Sequence, residues 1–179
     1  MKKILLVLIL IISITACSNN VVEVEVDDKV EDHKLEYLDK KNELLGKKEY
    51  NSLDDIPCDL VVSIDRVSEE EISYRLILDN PKVNMHDITA LFVHNQFTED
   101  IFPSIGVFDD KTKLIVDDED LKGIELVGYI ETTKEFDKLD IEFSLWLNYK
   151  DDNDEVHDIY YKIENINYHD KTTKKEVEE

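Results

Sequence analysis

The densest run of metal-ligating side chains is Asp151-Asp152-Asn153-Asp154-Glu155, five residues in a row that each carry an oxygen. Ca2+ takes six to eight oxygens, and modules outside the cell bind it at millimolar strength. Read as an EF-hand loop from Asp151, positions 1, 3 and 5 hold Asp151, Asn153 and Glu155. Position 6 is Val156 where Gly is needed, and position 12 is Lys162 where Glu is needed, so that loop is excluded. Two readings remain. One is a looser Ca2+ site through Asp151, Asn153, Asp154 and Glu155. The other is a hairpin turn, which Asp and Asn favour because they bond their own backbone. Asp117-Asp118-Glu119-Asp120 carries the same two alternatives.

Other chemistry is thinner. No Gly-x-Ser-x-Gly elbow and no His-Glu-x-x-His pair occurs. The five histidines, His33, His86, His94, His157 and His169, are scattered, and His94 and His157 read as residues of a solvated strand face. Cys58 has no neighbouring His, as a Zn site would require. The four glycines form no phosphate-cradling spacing. The segment from Asp100 to Phe108 is apolar and aromatic yet holds Pro103 and Gly106, so a plain central strand is excluded. Phe102 and Phe108 in it, with Trp146 further on, are the candidate binding residues; the alternatives are a core-capping loop or bulged edge strand, and a core contact for Trp146. No catalytic residue is assigned.

The N-terminus has a signature of its own. Met1-Lys2-Lys3 is basic, and Ile4 to Ile12 is an unbroken apolar run of nine residues. That is too short to span a bilayer, which needs about 20 apolar residues, but it matches the apolar region of a secretory signal. The run exits through Ile14-Thr15-Ala16-Cys17. This resembles the lipobox of bacterial lipoproteins: aliphatic, small, small, Cys. The resemblance implies cleavage between Ala16 and Cys17 and a diacylglyceryl thioether on Cys17, which would anchor the chain to the membrane by its lipid. Apart from that lipid and Ca2+, no cofactor is expected.

Charge narrows the partners. The chain of 179 residues holds 43 acidic and 21 basic side chains, a net charge of -22. Loss of residues 1–16, with two Lys and no acid, leaves a mature charge of -24. Nucleic acid is excluded, because Lys and Arg must neutralise its phosphates, and so is electrostatic adhesion to anionic lipid. With Cys17 lipidated, Cys58 has no intramolecular partner, and the core alone must hold the fold.

The elements follow from periodicity. Side chains alternate faces along a strand. Leu60 to Ile64, Ile72 to Leu78, Ile88 to Val93, Ile124 to Ile130, Ile141 to Tyr149 and Ile159 to Ile163 each present one apolar side. Turn-rich connections separate them, at Ser68 to Glu71, Asn80-Pro81, Asp117 to Asp120 and Asp151 to Glu155. This predicts an all-β antiparallel sandwich of six to seven strands. The strand, Asn-Pro turn and strand of Ile72 to Asn95, with the hairpin Ile141 to Ile163, resemble the immunoglobulin-like modules of bacterial surfaces. The expected organisation is a signal peptide at 1–16, an acidic tether at 17–56, the sandwich at 57–168 and a frayed tail at 169–179. Leu35, Leu38 and Leu45 would line one face of a marginal helix in the tether, and residues 18 to 50 should contribute little to stability. The expected role is a monomeric, extracytoplasmic, non-catalytic binding or accessory module for a protein or peptide. The alternatives are a Ca2+-dependent version and a hydrolase.

Overall fold

A computed structural model describes residues 28–96, 101–118, 120, 123–135, 138–164 and 166–170. The lipobox, Cys17 and the segment 171–179 lie outside the described residues. The described residues run through a helix α1 (Asp28–Gly46), a 3-10 turn (Leu53–Asp55) and nine strands. These are β1 (Asp59–Arg66), β2 (Glu71–Asp79), β3 (Met85–His94), β4 (Ser104–Ile105), β5 (Thr112–Leu114), β6 (Ile124–Glu131), β7 (Phe143–Lys150), β8 (Val156–Ile163) and β9 (Ile166–Asp170).

The six apolar segments are the six long strands β1, β2, β3, β6, β7 and β8. They pair into two sheets. One has the order β6-β2-β1-β9; the other has β4-β3-β7-β8, with β5 also paired to β3. All ladders are antiparallel except β1 with β9, where Val62 to Arg66 pair in parallel with Ile166 to Asp170. β1, β2 and β6 in one sheet and β3, β7 and β8 in the other is the immunoglobulin-like connectivity of A, B, E and C, F, G. The sandwich departs from that pattern in its fourth strand, because β4 and β5 both join β3.

Alternation builds the core between the sheets. Ile64, Ile72, Tyr74, Leu76 and Leu78 face Ile88, Phe92, Phe143, Leu145 and Leu147, all of them fully buried. The Phe92 and Phe143 rings stack at 4.9 Å, and Tyr74 meets Phe143 at 5.3 Å. β7 lies between β3 and β8, which gives it the central place its five-residue apolar row requires. The turns are set by residues that tolerate a left-handed backbone: Asn80 (φ 45°), Asp117 (φ 59°) and Asp154 (φ 60°) each sit in a connection expected from the sequence. Arg66 is buried and donates to the carbonyls of Ser68, Glu69, Thr132 and Lys134, tying the β1–β2 turn to the chain after β6.

The helix is the departure from expectation. α1 packs on the outer face of the second sheet, where Tyr37 and Leu44 join Leu91, Val93, Phe102, Val107, Trp146 and Tyr160 in a second buried cluster. The expected stripe has the wrong register. Leu35 and Leu45 are exposed, and only Leu38 turns partly inward. The docked face runs through Tyr37, Lys40, Lys41 and Leu44, the i, i+3, i+4, i+7 spacing of one helix side, and lysine stems supply part of its apolar surface. Residues 28 to 46 are therefore part of the folded unit and not a tether.

Candidate functional site

The acidic loop closes the β7–β8 hairpin. Asp151 Oδ1 accepts the backbone N–H groups of Asn153 (2.8 Å) and Glu155 (3.0 Å), while the Asp151 and Glu155 backbones bond each other at 3.1 Å. Those N–H donors hold the Asp151 carboxyl below its ordinary range. Asp152 reaches across to β3. His86 Nε2 lies 2.9 Å from its Oδ1 and Asn84 donates to its Oδ2 at 2.9 Å, and these contacts lower its pKa as well. Much of the carboxylate capacity is thus spent on the turn.

One group within the loop retains ligand geometry. Asp151, Glu155 and His157 each offer a donor atom within 4.8 Å of the others. His157 Nε2 is 3.3 Å from Asp151 Oδ2, and its ring stacks on Tyr149 at 4.7 Å and 14°, which fixes the imidazole plane. Two carboxylates and one imidazole suit a transition-metal dication better than Ca2+, which wants oxygens. Of the four residues expected from the sequence, Asp151 and Glu155 are in this group, and Asn153 and Asp154 are not. His157, expected on a solvated face, is part-buried at the second position of β8, just after the turn that holds Glu155.

The aromatic candidates separate. Phe102 and Trp146 are buried, and Phe108 is exposed. Trp146 points away from the intersheet core, as its place in β7 requires, and α1 covers it. Its indole N–H donates to Asp158 Oδ1, and Lys40 Nζ stands 4.8 Å over the ring. Lys40 also donates to Tyr160 Oη at 2.9 Å and lies 3.6 Å from Asp158. Burial acts to lower the Lys40 pKa, but the bonds to Tyr160 and Glu43 and the Asp158 charge outweigh it and raise the pKa above normal. This side of the sheet is a charge-locked helix contact. Phe102 is seated by its own N–H, which donates to Tyr37 Oη at 2.6 Å, and Gly106 allows the return. At φ +73° Gly106 has a backbone that favours glycine, and a Cβ there would stand 2.5 Å from the Ile88 carbonyl oxygen.

Two nucleophile or base candidates are silenced by burial. His94 is 1% exposed, against the expected solvated face, because it follows Phe92 by two residues and shares its inward side. Its ring sits among Tyr74 (5.0 Å), Phe102 (4.9 Å) and Phe143 (6.1 Å). Nδ1 accepts the Gln96 N–H at 3.1 Å, and Nε2 has no hydrogen-bond partner among the described residues. Burial pushes its pKa down to about 4, so the ring is neutral at pH 7. Cys58 is fully buried, and burial pushes its thiol up to about 12, which keeps it protonated and unreactive at neutral pH.

A cleft of about 520 Å³ is lined by Asp79, Asn80, Pro81, Leu114, Ile115, Asp117 and Asp118, whose three carboxylates would repel an anion. Among the described residues, no helix is long and apolar enough to cross a membrane. No family model, no curated protein and no solved structure matches this chain.

Proposed function

We propose that the chain is a lipoprotein held on the outer face of the cell membrane by a diacylglyceryl thioether on Cys17, and that its sandwich is a non-catalytic binding or accessory module for an extracytoplasmic protein or peptide. The observation that carries the reading is Ile14-Thr15-Ala16-Cys17 at the exit of the nine-residue apolar run. Only a thiol supplies the thioether, and the two acyl chains of a diacylglyceryl group hold where one alone is marginal. The non-catalytic part is supported by the burial of Cys58 and His94, which closes both side chains to a substrate. The decisive experiment is palmitate labelling with detergent partitioning of the wild type and Cys17→Ser. The wild type should label and partition with detergent. A Cys17→Ser protein that stays on the membrane would overturn the anchor. Cross-linking on intact cells then identifies the partner.

The cation-dependent alternative runs through Asp151, Glu155 and His157, whose donor atoms cluster. Calorimetric titration with Zn2+ and Ca2+ discriminates it. Heat with Zn2+ that disappears in His157→Ala would favour it, whereas silence with both at millimolar concentration favours the cation-independent module.

A further inference from the structure

β6 ends its sheet, and no strand of the described residues lies on its outer side. The ladder with β2 fixes which groups face that side. Thr132 donates its N–H to the Glu70 carbonyl at 2.8 Å, one step past the pair of Glu71 and Glu131. Bonded and non-bonded pairs alternate along an antiparallel ladder. Ile130, Gly128 and Leu126 therefore bond to β2, while Glu125, Val127, Tyr129 and Glu131 turn their N–H and C=O groups to the open side. The same four residues carry the exposed side chains of the strand. The other edges are shorter or closed. β4 has two residues and β9 has five. Along β8, Asn51 donates its N–H to the Tyr160 carbonyl at 2.8 Å and accepts the Tyr160 N–H on Oδ1 at 3.0 Å.

Charge selects what can pair there. Native sheets blunt their edges with Lys, Pro or a bulge. β6 holds no Lys and no Pro, and its register with β2 is unbroken over eight pairs. Its charged residues are Glu125 and Glu131. Glu125 is paired with Arg75 at 2.9 Å. Glu131 instead faces Glu71 in a non-bonded pair, where side chains come closest. Like charges placed so repel, and Glu69 and Glu70 stand just before them in the chain. No ion pair involves Glu71 or Glu131 among the described residues. A cation brought alongside Glu131 relieves that repulsion. A second copy would bring more carboxylate to the same edge, with a net charge of -22 on each chain. We propose that β6 takes up an extended basic segment of a partner protein as an added strand, with a Lys or Arg beside Glu131. Strand addition draws affinity from main-chain hydrogen bonds and specificity from alternate side chains. This rests on the binding-module reading above and gives it a surface and a class of partner.

The test uses residues 17–179 with Cys17→Ser, which keeps the chain in solution. The probe is the fluorescently labelled peptide Lys-Val-Thr-Val-Thr-Val-Lys, whose lysines have the spacing of Glu125 and Glu131. Glu-Val-Thr-Val-Thr-Val-Glu is the comparison. The lysine peptide should raise the anisotropy on binding, and the glutamate peptide should not. Saturation should slow amide exchange at Val127 by about tenfold or more and leave Gly128, already bonded to β2, unchanged. Val127→Pro removes an outward N–H and no ladder bond, and should weaken binding about tenfold. Glu131→Lys should weaken it as well. Binding that leaves Val127 exchange unchanged and survives Val127→Pro would mean that net charge alone attracts the peptide; it overturns the added strand and leaves the module reading standing. No binding at millimolar peptide also overturns the proposal. So does protection of Val127 that rises with protein concentration in the absence of peptide, which would make a second copy the occupant. If Val127→Pro fails to fold by circular dichroism, Val127 exchange in the parent and binding by Glu131→Lys carry the test. The lipid is absent from this experiment, so a failure of palmitate labelling in cells would remove the anchor without altering the result.

Discussion

Gly128 stands directly opposite Tyr74 in the β2–β6 ladder, and the Tyr74 phenol occupies the space where a side chain at 128 would begin. An ideal Cβ on Gly128 would sit 2.2 Å from both Cζ and the hydroxyl oxygen of Tyr74. The glycine is thus the seat of the fully buried Tyr74 ring. Gly128→Ala should destabilise the domain by about 2–3 kcal/mol through overpacking. Denaturation of Gly128→Ala, Tyr74→Leu and the double variant should show coupling, with the second change costing less when the first is present. Additive losses would show that the two do not share that space.

His94 should make the fold acid-sensitive. Its folded pKa is near 4, below the ordinary value of 6.5, so the native state favours the neutral ring. That contribution is complete above pH 6.5. As pH falls towards 4 the unfolded chain takes up a proton that the native core refuses, and stability drops by up to about 3 kcal/mol. His94→Leu removes this titration. The stability gap, taken as wild type minus His94→Leu, should fall steadily from pH 7 to pH 4.5 in urea melts. A gap that stays constant would mean that His94 titrates normally.

Trp146 should be shielded. It is 2% exposed beneath α1, so acrylamide should quench it poorly in the native state. Leu44→Ala, also at the centre of the helix contact, should cost about 2–4 kcal/mol and raise the quenching. Deletion of residues 18 to 50 uncovers Leu91, Val93, Trp146 and Tyr160 together and should cost more than about 2 kcal/mol of stability. A truncated domain as stable as the parent would show that the helix is only resting on the sheet.

The faces of β7 are separable by mutation. Phe143→Ala should cost about 3–5 kcal/mol, since the ring is fully buried against Phe92 and Tyr74. Glu142→Ala breaks only the exposed pair with Lys162 at 3.0 Å and should cost under about 0.5 kcal/mol. Comparable losses from the two would reverse the assignment of inside and outside.

The sandwich was legible because a half-buried strand repeats every two residues, and Phe143, Leu145, Leu147 and Tyr149 keep that period without a break. The helix was not. Its docking surface has two fully buried apolar side chains, Tyr37 and Leu44, and is completed by Lys40, whose charge reads as solvated although its stem and ammonium lie over Trp146. Leu35 and Leu45 looked like the stripe and face water. β9 is short, and Asn167 and His169 dilute its apolar signal. At the hairpin, the run of acids was visible, but the turn that commits Asp151 to backbone donors is a property of three-dimensional closure. His94 was readable from its parity with Phe92, and its polar type hid it.

The parallel ladder between β1 and β9 has a mechanical meaning. The chain reaches β1 from α1, and β9 leaves towards the C-terminus from the strand's other end. A force applied between the N-terminal side and the C-terminal side, once α1 has peeled off, pulls the two strands lengthwise in opposite directions. The bonds from Val62 to Arg66 then carry the load together in shear and do not open one at a time like a zipper. Such a clamp yields at a higher force than a hairpin loaded at its open end. Under such a load the helix gives way first and the sandwich stays whole.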